Sequence, residues 1–121
     1  MGNRPVQAVF SRGKKTMTLQ IDILYMEECT DWQTAAEILG QVLDDLGVAA
    51  TIDYWLIGSD REATETYFMG SPTIRVNGQD LFPVHSDVPA GLRLRSYFTE
   101  EGLLGHPTYA MLYEAIQGLA G

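Results

Sequence analysis

The chain has one cysteine, Cys29, and it stands in the run Glu27-Glu28-Cys29-Thr30-Asp31-Trp32. An ionised thiol attacks disulfides and binds soft metals. Directly after it, Trp32, Ala35, Ala36, Leu39, Val42, Leu43 and Leu46 recur three and four apart, which predicts a helix of about four turns. The unpaired N–H groups at the start of such a helix favour a thiolate by roughly 0.3 to 2 kcal/mol. Glu27, Glu28 and Asp31 act the other way, each by up to about 1 kcal/mol. The two effects are of similar size, so the neighbourhood does not mark Cys29 as a strong oxidant. A mixed disulfide formed at Cys29 would need an external thiol for its release, because no second cysteine exists to resolve it. The alternative is that Cys29 is a small buried residue without chemistry.

The other chemical candidates carry less. Cys29 and its three neighbouring carboxylates include metal-ligand types, but a turn of solvated charge accounts for the same residues, and no metal site is expected. His85 and His106 have no ligand spacing to each other or to Cys29 and are given no role. Arg93 and Arg95 share a face if their segment is a strand, where pairing with acidic residues is a simpler use than anion binding. Trp32 reads either as a first-turn packing residue or as a platform facing a substrate.

Most of the elements that must position these residues are legible. Residues 18–25 alternate Leu19, Ile21 and Ile23 with Thr18, Gln20 and Asp22, then become continuously apolar, as a strand does on entering a covered sheet. The helix after Cys29 has Thr30 or Asp31 as its cap and Gly47 as its terminator. Residues 48–57 are rich in β-formers, and a strand following a helix predicts a parallel crossover unit. Ser59-Asp60-Arg61-Glu62 is a capping box that starts a second helix, expected to run to about Phe68 before Gly70 breaks it. Ser71-Pro72-Thr73 leads into a strand over 73–76, and Asn77-Gly78 turns it into a hairpin returning over 80–83. Residues 84–106 hold no period beyond Leu92, Leu94 and Ser96 alternating with Arg93 and Arg95. Pro107 suits the first position of a last amphipathic helix carrying Tyr109, Leu112, Tyr113, Ile116 and Leu119.

With 121 residues the chain suits one domain, and 45% apolar with 20% charged residues is an ordinary globular composition. Arg4, Arg12, Lys14 and Lys15 are half of the 8 basic residues, and all 16 acidic residues follow them. Residues 1–17 therefore read as a flexible extension, and 18–121 as the folded domain. The acidic excess, a net charge of -8, argues against nucleic acid and anionic membranes as partners. The absence of a long apolar run and of a signal-like segment makes the cytoplasm the expected location.

Two segments carry a resemblance. Leu24-Tyr25 through Cys29-Thr30-Asp31-Trp32, and Phe68 through Gly70-Ser71-Pro72-Thr73 to Asn77-Gly78-Gln79-Asp80, resemble a group of small bacterial thioredoxin-family proteins. Their first motif is usually Cys-Pro-Asn-Cys or Cys-Pro-Asn-Trp. The second segment is the more specific, and the resemblance spans about residues 18–118. Trp32 stands where dithiol members have their resolving cysteine, and the cysteine that many relatives carry near Leu94 is missing.

The resemblance implies a thioredoxin-like α/β fold: a central mixed sheet, with a parallel first unit and a C-terminal antiparallel hairpin, flanked by helices. It implies a cis Ser71-Pro72 bond beside Cys29. It further implies monothiol thiol–disulfide exchange, with Cys29 as nucleophile and Trp32, Ser71, Pro72 and Thr73 as the substrate dock. The substrate would be a protein or a low-molecular thiol, with glutathione or a similar thiol as co-substrate and no other cofactor. The competing expectation is a non-catalytic binding or assembly module of the same fold. Trp32, the missing second thiol and the aromatic residues Tyr54, Trp55, Tyr67 and Phe68 favour it. A homodimer fits both.

Overall fold

The computed structural model describes residues 8–10, 18–84 and 87–120, with backbone alone for 8–10 and 120. The strands and helices in chain order are β1 (Ala8–Phe10), β2 (Leu19–Tyr25), α1 (Asp31–Leu46), β3 (Ala50–Leu56), α2 (Asp60–Thr66), β4 (Thr73–Val76), β5 (Gln79–Asp80), β6 (Tyr97–Thr99), β7 (Gly102–Leu104) and α3 (Tyr109–Ala120). The chain is thus mixed α/β. Five strands form one mixed sheet in the order β1-β3-β2-β4-β5, and β6 and β7 form a separate hairpin.

The parallel unit lies where the sequence pattern places it. Strands β2 and β3 run parallel through seven register pairs from Leu19↔Ala50 to Tyr25↔Leu56, with α1 as the crossover. Gly47 ends α1 at φ 67, a left-handed conformation that glycine adopts without strain. Strand β4 runs antiparallel to β2, and β5 folds back on β4 through Asn77 and Gly78, both at positive φ.

One face of the sheet holds the main core. Ile21, Ile23, Ile52, Ile74 and Val76 pack there with Ala35, Leu39, Val42 and Leu43 of α1 and with Leu112 and Ile116 of α3. The other face of the sheet carries the alternate strand positions, where Leu24 of β2 and Ile57, directly after β3, pack with Ala63 of α2 and with Phe68.

Four expectations are corrected. Residues 1–17 were expected outside the fold, yet Ala8–Phe10 pairs antiparallel with β3. A main-chain ladder needs no side-chain period, and it covers an edge of β3 that would otherwise stay open. The rest of that segment lies outside the described residues. Helix α2 stops at Thr66 with Tyr67 as a left-handed cap at φ 58, before Gly70 is reached. The returning strand is only Gln79–Asp80, because Asp80 turns inward and its Oδ1 accepts the Phe82 N–H. Pro107 stands outside α3, where Thr108 caps the helix by accepting the Met111 N–H on its hydroxyl. Among the described residues no helix is long and apolar enough to cross a membrane.

Candidate functional site

Cys29 ends a tight turn in which its N–H bonds to the Met26 carbonyl at 3.0 Å, just before Thr30 and the first residue of α1. Thr30 makes no side-chain cap bond. The residue is buried, with 3% of its surface exposed. Glu27 and Glu28 are exposed, and Asp31 is half-buried. A Cβ placed on Gly105 would run into the Asp31 carboxylate, so the chain after β7 passes directly against the start of α1.

The second predicted segment meets this turn. The Ser71–Pro72 peptide bond is cis. The Ser71 hydroxyl accepts the Met26 N–H at 3.0 Å and ties the Cys29 turn to the proline loop. Ser71, Pro72 and Thr73 are all buried. The Thr73 hydroxyl donates to the Gly70 carbonyl at 2.5 Å.

The segment that showed no readable period completes the site. The Ser71 N–H donates to the Arg93 carbonyl at 2.8 Å, and the Arg95 N–H donates to the Ser71 carbonyl at 3.0 Å. Both main-chain groups of Ser71 are therefore satisfied by the chain's own residues 93–95. The alternation here is inverted with respect to hydropathy: Leu94 is 62% exposed and Arg95 only 7%. Arg95 Nη1 donates to Asp80 Oδ2 at 2.9 Å and to the Thr73 hydroxyl at 3.3 Å, while Nη2 donates to Asp80 Oδ1 and to the Phe82 carbonyl. Its guanidinium also lies 4.7 Å from the centre of the Tyr97 ring. Pairing with an acidic residue was expected of Arg95; its burial was not, because a lone arginine in an alternating run looks like surface.

Tyr97 donates its hydroxyl to the Pro72 carbonyl. Burial pushes its phenol well above the usual tyrosine range, Arg95 opposes this, and Asp80 and Cys29 add to it. Cys29, Pro72, Tyr97 and Arg95 thus share one buried neighbourhood. Asp80 and Tyr97 are the members that sequence reasoning missed, together with the place of Arg95 beside them, and no local spacing connects the three.

Trp32 belongs elsewhere. Its ring stacks on Tyr25 at 4.2 Å and meets Tyr54 edge-on at 5.8 Å, an aromatic cluster that fastens the first turn of α1 to the sheet. His106 is half-buried with Nδ1 2.9 Å from the Pro107 carbonyl, and His85 lies outside the described residues. Among the described residues no three metal-ligating side chains converge.

Comparison of the chain with protein-family models, curated proteins and solved structures finds no match.

Proposed function

We propose that the chain is a thioredoxin-like domain working as a non-catalytic binding or assembly module, with Cys29 as a buried structural residue. The fold part of this reading is supported by the parallel β2–α1–β3 unit, the Ser71-Pro72-Thr73 loop and the β4–β5 hairpin that follows it. One observation carries the functional part. Cys29 is almost fully buried, and beside it the main chain of Ser71 is occupied on both sides by residues 93–95. Thiol exchange needs a disulfide to approach the sulfur in line, and a substrate chain needs free main-chain groups on which to dock. Elsewhere Phe98 and Leu103 face each other across the β6–β7 ladder, 85% and 60% exposed, and supply an apolar contact pair.

The test is thiol chemistry on the native full chain. Alkylation of Cys29 by iodoacetamide is expected to be at least about a hundredfold slower than in the denatured chain, as for a group reached only by local opening. Oxidised glutathione should leave the native protein unmodified over hours, and insulin reduction should not be accelerated. Ready formation of a glutathione mixed disulfide, abolished by Cys29→Ser, would overturn the reading. It would restore monothiol exchange, with Ser71, Pro72 and Thr73 as the dock.

A further inference from the structure

The sheet face opposite α1 is only partly covered, because α2 is a single helix of 7 residues. Between α2 and the sheet lies a cleft of about 380 Å³. Leu24, Trp55 and Ile57 give it an apolar lining, and Asp22, Glu62 and Glu65 bring three carboxylates to it. The volume falls toward the small end of the roughly 300 to 1,000 Å³ typical of small-molecule sites.

Charge decides what fits. The one cation in the lining, Arg75, is committed: its Nη2 donates to the Thr66 carbonyl at 2.6 Å and to the Tyr67 carbonyl at 3.1 Å, at the C-terminal end of α2. Among the described residues Glu65 pairs with Arg61, and both side chains of that pair are largely exposed. Asp22 Oδ1 accepts hydrogen bonds from Gln20 Nε2 at 3.1 Å and Trp55 Nε1 at 2.9 Å, both neutral donors, while Arg75 stands opposite Asp22 in the β2–β4 register and its charge offsets one of the lining carboxylates. Asp53 stands beside Asp22 in the β2–β3 register and shares the same glutamine, which donates to its Oδ2 at 3.0 Å. Asp53 Oδ1 is enclosed and has no hydrogen-bond partner. The lining carboxylates Asp22, Glu62 and Glu65, with Asp53 beside them, outnumber the single charge of Arg75, so a negative potential remains in the cleft, which repels an anion and attracts a cation.

We propose that this cleft binds a small organic cation, an ammonium or amidinium head on a body of about one ring. The head sits against Asp22 and toward Glu65, and the body lies on Trp55, Leu24 and Ile57. The inference gives the binding-module reading a ligand class. It uses nothing of the Cys29 turn, so thiol labelling tests that reading and ligand titration tests this one.

The experiment titrates the full ¹⁵N-labelled chain with benzamidine, with the neutral isostere benzamide and with benzoate, following the Trp55 indole N–H and the backbone amides of Leu24, Ile57 and Arg75. Benzamidine is expected to shift these signals to saturation, and benzamide to bind at least about tenfold more weakly. Asp22→Asn should weaken benzamidine about tenfold and leave benzamide unchanged. Because Asp22 also holds Trp55, Glu65→Gln on the exposed side of α2 serves as the second variant; it should keep the native spectrum and weaken benzamidine about threefold. Equal binding of benzamide, tighter binding of benzoate, no saturation by benzamidine, or unchanged affinity in both variants would each overturn the proposal.

Discussion

Replacing Arg95 by methionine tests both the stability of the site and the reason that Cys29 is closed. The substitution keeps most of the side-chain volume and removes the guanidinium. It leaves the Asp80 carboxylate, 20% exposed, without its 2.9 Å partner, and it orphans the Phe82 carbonyl. Breaking one side of a buried ion pair typically costs about 3 to 5 kcal/mol. The partial exposure of Asp80 places this case at the lower end, about 3 kcal/mol. The same bonds anchor residues 93–95 over Ser71, so much of the loss should appear as local opening. A loss of about 3 kcal/mol in anchoring corresponds to roughly a hundredfold more of the open form. Chemical denaturation read by circular dichroism gives the first quantity, and the native alkylation rate of Cys29 gives the second. Adding Asp80→Asn to Arg95→Met should recover part of the stability, because the stranded charge is then gone. If Arg95→Met costs less than about 1 kcal/mol, the range of an exposed pair, the buried network is not what holds the segment. If stability falls as stated while Cys29 alkylation stays unchanged, residues 93–95 are not its cover.

Two further outcomes follow from the same neighbourhood. Gly70 sits at φ +119, and a Cβ there would stand 2.8 Å from Arg95 Cβ and 3.3 Å from Arg95 Cα. Gly70→Ala should therefore cost about 2 kcal/mol or more in denaturant melts, from the combined left-handed strain and overpacking. Burial raises the Tyr97 phenol in the folded state, so the native chain holds that proton more tightly than the unfolded one. Its contribution is fully present below the unfolded value of about 10 and is lost as pH rises beyond it, so the unfolding free energy should decline above about pH 10. Tyr97→Phe should flatten that decline and cost about 1 to 3 kcal/mol at neutral pH, through the unpaired Pro72 carbonyl. A decline equally steep in the variant would assign it to other tyrosines; Tyr109, raised to about 12 chiefly by its hydrogen bond to Asp45, is the first of these.

How much was readable follows from how local each cause is. The β2–α1–β3 unit, the Ser59 cap of α2 and the Asn77-Gly78 turn rest on periods and backbone preferences spanning a few residues. The same holds for Cys29 at the head of α1, because position along the chain and position at a helix end are one fact there.

The rest depends on residues that meet only after folding. Strand β1 joins β3 through main-chain bonds that leave no mark in side-chain pattern. Trp32 was placed in the first turn of α1 by its spacing, but its use as a stacking partner of Tyr25 and Tyr54 required β2 and β3 to be side by side. Beyond the alternation over 92–96, residues 84–106 show no local period, because Arg93, Arg95 and Tyr97 answer to Ser71, Asp80 and Pro72, up to 25 residues away in the Tyr97 to Pro72 bond. An arginine in an alternating stretch is normally solvated; only a carboxylate, a hydroxyl and a carbonyl assembled from β4, β5 and the loop after it make its burial affordable. The types and local order of the residues thus determined the elements and the place of the thiol. Whether that thiol meets solvent, and whether Ser71 has a free main chain, was decided by hydrogen bonds between segments far apart in sequence, whose energies no local pattern encodes.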